Sequence, residues 1–299
     1  MSYLYIFFTV FLFSTLEVTG KLIGADFSPV AITAFRFLLG GIFFLPLAIL
    51  QIRKERLRLK LKDVALMGAL GVLNVVIAML CLQYAIYYGE ASVSAILISV
   101  NPIFVAFFAY LILQENMKLS KILGLLFGLL GVFLIIRSES QTPSAAINPL
   151  FGVVFGLIAS VTFGLFTVLA KKYSLRYGVM VMNCISFFVG SFVLILLALC
   201  FGVNLTFDPT IQNISFIAYL GFFVSGIAYL AYFEGLKKVP TGIGAMFFFL
   251  KPILASVLAF IFFKEQLTVW QYVGIAIVFW GIFSDTLLPR LRQKKNEDL

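Results

Sequence analysis

The sequence predicts an all-α integral membrane protein: ten transmembrane helices built from two inverted five-helix repeats. Three observations carry that expectation. Hydrophobic residues make up 62% of the 299 and charged residues only 12%, too little polar material to cover a water-soluble domain. The apolar residues fall in runs of about 20, the length that crosses a lipid core as a helix. The second half of the chain also repeats the first at one constant offset of 150 residues.

The runs are 3–22, 30–50, 64–86, 91–113, 119–137, 149–172, 178–201, 213–236, 241–263 and 268–288. The first lacks the basic flank and small-residue cleavage pattern of a signal peptide, and it is long enough to span, so it is read as a helix of the mature protein. The longest connections are the basic loop from Gln51 to Lys62, the polar stretch from Ser138 to Asn148 and the tail after Pro289. The expected organisation is therefore a first repeat over 1–137, a polar connection over 138–148, a second repeat over 149–288 and a basic tail over 289–299.

Orientation follows from the basic residues. With the N-terminus inside, 17 Lys and Arg fall on the cytoplasmic side, against Lys21, Arg137 and Lys264 opposite, and only Arg36 and Lys251 are left within spans. This asymmetry places both termini in the cytoplasm. It also accounts for the net charge of +9 without nucleic acid, because the basic residues sit in short tracts between spans. Compact loops point to the plasma (inner) membrane and a multi-pass topology in the lipid bilayer.

The repeat pairs Phe13 with Phe163, Lys21 with Lys171, Phe37 with Phe187, Gly40 with Gly190 and Gly71 with Gly221. Further on it pairs Ala95 with Ala245, Pro102 with Pro252, Glu115 with Glu265, Gly124 with Gly274 and Gly131 with Gly281. Shared hydrophobic composition can align Phe and Ala by chance, but not Pro, Glu and Gly together. Five spans is an odd number, so the second unit is upside down relative to the first. Inverted repeats are a construction plan of secondary transporters, with the binding site between the halves near the midplane.

On these residues the chain resembles the EamA-type carriers of the drug/metabolite transporter superfamily. The resemblance rests on the ten-span plan, Phe13-Ser14 leading to Lys21, Ala34-Phe35-Arg36-Phe37 in the second span, and the spacing of Pro102 to Glu115 and Pro252 to Glu265. Family members often carry Trp-Gly where this chain has Phe13-Ser14. The resemblance implies a membrane carrier of small metabolites. Leu16-Glu17-Val18 also looks like the first-helix Glu-Val of the small multidrug resistance branch, where the glutamate exchanges protons against substrate.

Four polar residues share a central to outer-central layer. At about 1.5 Å per residue, Lys251 lies about 16 Å from the inner face, Glu17 and Arg36 about 21 Å, and Asn101 about 15 Å from the outer one. Lys251 is either a fixed cation for an anionic substrate group or a structural lysine paired with Glu17. Glu17 is the proton-coupling candidate, because burial raises a carboxylate pKa and a nearby cation lowers it; a permanent salt bridge is the alternative. Arg36 is a permanent cation that forks onto carboxylate or phosphate, or else pairs with Glu17. Asn101, at the repeat position of Lys251, is a substrate contact or a helix-helix hydrogen bond.

Pro102 and Pro252 are expected to kink the fourth and ninth spans, as gates or as static bends, freeing the carbonyls of Ile98 and Phe248. Glu115 and Glu265 read as interfacial anchors or caps for the helix that follows each. Histidine is absent and the three cysteines lie in or beside apolar spans, so neither a cofactor nor a metal site is expected.

The function expected is secondary active transport, not catalysis. The two repeats would rock about the central site and export a small metabolite in exchange for protons. Two permanent cations against one carboxylate favour an amino acid or other carboxylate-bearing solute. A broad drug exporter is the runner-up, and a non-transporting membrane sensor or integral-membrane enzyme the alternative of a different class.

Overall fold

The computed structural model describes residues 1–23, 27–88, 97–137, 147–254 and 269–286. Ten helices account for most of them. The first five are α1 (Ser2–Ile23), α2 (Pro29–Glu55), α3 (Leu61–Tyr88), α4 (Asn101–Leu113) and α5 (Leu119–Arg137). The second five are α6 (Pro149–Tyr177), α7 (Val179–Cys200), α8 (Ile211–Leu236), α9 (Thr241–Leu254) and α10 (Val269–Thr286). Five of them, α2, α3, α6, α7 and α8, are by length and composition able to cross a membrane, and shorter apolar helices accompany them.

Local chemistry starts and stops these helices where the apolar runs suggest. Ser28 caps α2 by accepting from the Ala31 N–H, with Pro29 in the first turn, where its missing N–H costs nothing. Asn148 and Pro149 repeat the device at α6, and Thr210 caps α8. Left-handed residues end α2 at Arg56 and α4 at Gln114. Helix α2 runs about one turn beyond the expected 50, because Gln51 is held there: its Oε1 accepts from the Met180 N–H and its Nε2 donates to Glu55.

The repeat offset shows which residues meet. Phe37 and Phe187, repeat partners, stack edge-on at 4.8 Å between α2 and α7. A Cβ added at Gly40 would lie 2.9 Å from Ser225 Cβ, and one at Gly190 would lie 2.8 Å from Val75 Cγ2; positions 75 and 225 are themselves repeat partners. Likewise Gly131 packs against the Gly274 carbonyl of α10, and Gly281 against the Gly124 carbonyl of α5. Each contact and its mate are related by the same two-fold exchange of halves. Gln51 meets Met180 at one end of α2 while Gly41 meets Cys184 further in, so α2 and α7 run antiparallel, as inverted repeats require.

The close-packed units are not the repeats themselves. Helix α1 packs on α8 and α9, through Ile6 against Gly235 and Gly244 and through Tyr3 stacked on Phe247. Helix α6 packs on α3 and α4, through Phe155 on Tyr84 and through Gly164 on Phe104. Each trio therefore draws from both repeats. Helices α2 and α7 cross between them, and α5 and α10 form a separate pair.

Both halves also lose regular α geometry at matching places. Helices α3 and α8 widen into π turns over Val72–Met79 and Leu220–Ile227, the first just after Gly71 and the second containing Gly221. Helix α9 tightens to 3₁₀ over Phe247–Phe249 just before Pro252, and a turn at Val100, whose N–H bonds Leu97, precedes Pro102. A proline lacks the N–H for an i−4 bond, so the chain substitutes tighter i−3 bonds ahead of it. The outward faces carry exposed Phe7, Phe11, Leu45, Phe192 and Trp280, the lipid-facing material expected of a multi-span protein.

Candidate functional site

A small cavity lies where the two-fold exchange places the centre of the molecule. Three repeat pairs contribute to its wall: Phe13 with Phe163, Met79 with Tyr229, and Ile98 with Phe248. Leu16, Leu82 and Val224 add apolar surface, and Arg36 and Lys251 bring the cations. Among the described lining residues none is acidic.

Helix direction sorts the wall by height. Arg36 lies near the start of α2, and Leu82 and Lys251 lie in the far portions of α3 and α9, all away from the end that carries the basic loop 51–62. Phe13, Phe163, Tyr229 and Phe248 close one side of the cavity. Their rings pack directly, with Phe13 at 5.3 Å from Tyr229 and 5.8 Å from Phe248, and Phe163 at 6.0 Å from Phe248. Tyr232, Phe166 and Phe233 form a second buried layer beneath. These aromatic rings pack two layers deep.

The cations are held, not dangling. Arg36 is 1% and Lys251 3% exposed. The Arg36 guanidinium sits 4.7 Å over the Phe37 ring, a cation–π contact that fixes its direction. Its backbone is pinned from the other side, since a Cβ at Gly221 would meet the Arg36 carbonyl at 3.3 Å. Tyr229 lines the cavity with its hydroxyl 3.5 Å from Asn74 Oδ1 on the π-wide part of α3.

The sequence signature of the EamA-like transporter family matches residues 1–137 and 150–284. The chain belongs to the EamA-like transporter family. It is 32% identical over 301 residues to an uncharacterized transporter of Clostridium kluyveri, covering 100% of this chain and 96% of that one. It is 28% identical over 270 residues to the uncharacterized transporter YetK of Bacillus subtilis, covering 89% and 81% respectively. A crystal structure at 17% identity superposes with a TM-score of 0.79 over 97% of both chains, a likeness of fold.

In this EamA-like transporter the remaining candidates fall as follows. Asn101 stands outside the cavity wall: its amide donates to the Ser160 carbonyl at 2.8 Å, tying α4 to α6. Asn101→Ala is expected to lower stability by about 1–2 kcal/mol through the lost buried hydrogen bond and to leave apparent substrate affinity within about two-fold, as read by unfolding and uptake assays. Glu17 lies on α1, next in sequence to Leu16; its side chain is outside the described residues. Glu265 is outside them altogether. Pro102 is in the first turn of α4 and Pro252 follows the 3₁₀ segment of α9.

Glu115 departs from one of its two expected roles, the cap. It does not cap the helix that follows it; it reaches across to the first residues of α9, in the other repeat. Lys121 and Lys171, two of the 17 basic residues on the expected cytoplasmic side, are buried beside it. The sequence does not mark Met79 and Tyr229 at all, and it names Phe13, Phe163 and Phe248 for other reasons than lining a site. The signal that finds some of them is the repeat itself, because residues near a two-fold axis occur as offset pairs.

Proposed function

We propose that this transporter moves a small carboxylate-bearing solute, an amino acid or similar metabolite, with its anionic group received between Lys251 and Arg36. The observation that carries this reading is the pair of buried cations on an otherwise apolar cavity at the two-fold centre. Apolar walls strengthen the attraction of the two cations for an anion by excluding water.

The solute is exported by alternating access, in exchange for protons taken up at Glu17. The trios α1, α8, α9 and α3, α4, α6 are the moving bodies, with the helix breaks before Pro102 and Pro252 as hinges. Both termini lie in the cytoplasm and the membrane is the plasma membrane. The basic end is then the cytoplasmic side.

The test is uptake into proteoliposomes of labelled amino acids, organic acids and lipophilic cations, with and without a pH gradient. Gradient-driven movement of a carboxylate solute, made insensitive to the gradient in Glu17→Gln, is the expected result. Movement of lipophilic cations in its place would favour a drug exporter. Arg36→Lys keeps the charge but loses the planar fork and the ring stacking, and is expected to lower uptake about ten-fold, equivalent to 1.4 kcal/mol, at normal expression.

A further inference from the structure

The basic end holds a second polar cluster that the cavity does not use. Glu115 is positioned by the end of α4, where Gln114 turns left-handed and the Glu115 N–H bonds back to the Ala109 carbonyl. Its Oε1 accepts from the Thr241 N–H at 2.7 Å, from Thr241 Oγ1 at 2.6 Å and from Lys171 Nζ at 3.4 Å. Its Oε2 accepts from the Gly242 N–H at 3.4 Å and lies 3.5 Å from Lys121 Nζ. Lys171 also donates to the Val239 carbonyl at 2.8 Å.

Every partner on α9 or just before it belongs to one trio, and Glu115 and Lys171 are joined to the other. A carboxylate on the N–H groups of a helix start is favoured by their partial positive charge. Here the two lysines add full charges, and the site is only 16% exposed at Glu115. Gly242 makes room, since a Cβ there would collide with the end of Lys121.

We propose that Glu115 is the closing residue of the gate at the basic end, holding the N-terminus of α9 against α4 and α6 in the closed state and releasing it when that end opens. This rests on the transporter reading above, but it does not depend on which solute is carried. The gate is not the proton switch. Burial pushes the Glu115 carboxyl up, but the hydrogen bonds from Thr241 and the charges of Lys171 and Lys121 outweigh it and hold it below the ordinary glutamate value. A lowered carboxyl stabilises the closed form at every pH above the ordinary value, and that contribution is lost only as pH falls through the lowered one.

The test is a distance measurement by paired spin labels at exposed Lys118 and Lys238, on either side of the gate, using K118C and K238C with Cys81, Cys184 and Cys200 replaced. The wild type should give one short, narrow distribution, unchanged between about pH 6 and pH 8. E115A should move most of the population to a longer distance, and T241V, which removes one hydroxyl donor, should move a smaller share. E115D should restore the short distance in part. Wild-type distributions in both E115A and T241V would overturn the gate, whatever the uptake assays show. A shifted distribution in a protein that carries no carboxylate solute would uphold the gate and count against the proposed substrate alone.

Discussion

Lys251→Met is expected to lower uptake of a carboxylate-bearing solute on the order of 100-fold, because removing one side of a buried charge pair costs about 2–5 kcal/mol. Methionine matches the length and flexibility of the lysine stem, so the wall keeps its shape and loses its charge. The fold should tolerate the change. A buried ammonium pays a desolvation penalty that an apolar side chain does not, and Lys251 is only 3% exposed. Initial uptake rates, with gel filtration to confirm a folded protein, check this. Normal rates in a less stable protein would make Lys251 a structural residue.

Gly71→Ala is expected to destabilise the protein by about 3 kcal/mol or more, at or beyond the usual range for overpacking. The added Cβ would fall within the Ser186 carbonyl oxygen of α7. Backbone cannot swing aside as a side chain can, and the same crossing is tied by the Ser186 hydroxyl, which donates to the Met67 carbonyl at 2.8 Å. Gly68→Ala is the internal control. Its Cβ would meet only Val189 side-chain atoms, the nearest at 3.0 Å, which can yield, so a loss of about 1 kcal/mol is expected. Unfolding titrations of the two variants side by side check the contrast, and equal losses would mean that the α3–α7 crossing can open.

Much of this architecture can be read from the chain because a membrane span announces itself by length and hydropathy, and a duplication by its offset. Phe37 and Phe187, or Gly131 and Gly281, are recognisable as partners in sequence and turn out to lie on matching contacts in space. Depth along untilted helices likewise puts Lys251 and Arg36 at a common level, and both line the cavity. Hydropathy cannot separate Phe163, on the cavity wall, from Phe11, facing outward, because both are apolar and only the packing distinguishes them. Asn101 shares the depth of the cations, but depth says nothing of which way a helix turns its face, and its amide is spent on Ser160. Glu115 was misplaced for a related reason: a polar residue at a span end looks like a local cap, and its real partners are 126 residues away at Thr241.

The most direct test of an anion-receiving cavity is equilibrium binding of matched solutes to purified protein, each amino acid compared with the amine left when its carboxylate is removed. The acid is expected to bind and the amine not to, with the difference abolished in Lys251→Met. An amine that binds as well as its parent acid would contradict the assignment of Lys251 and Arg36 to the substrate.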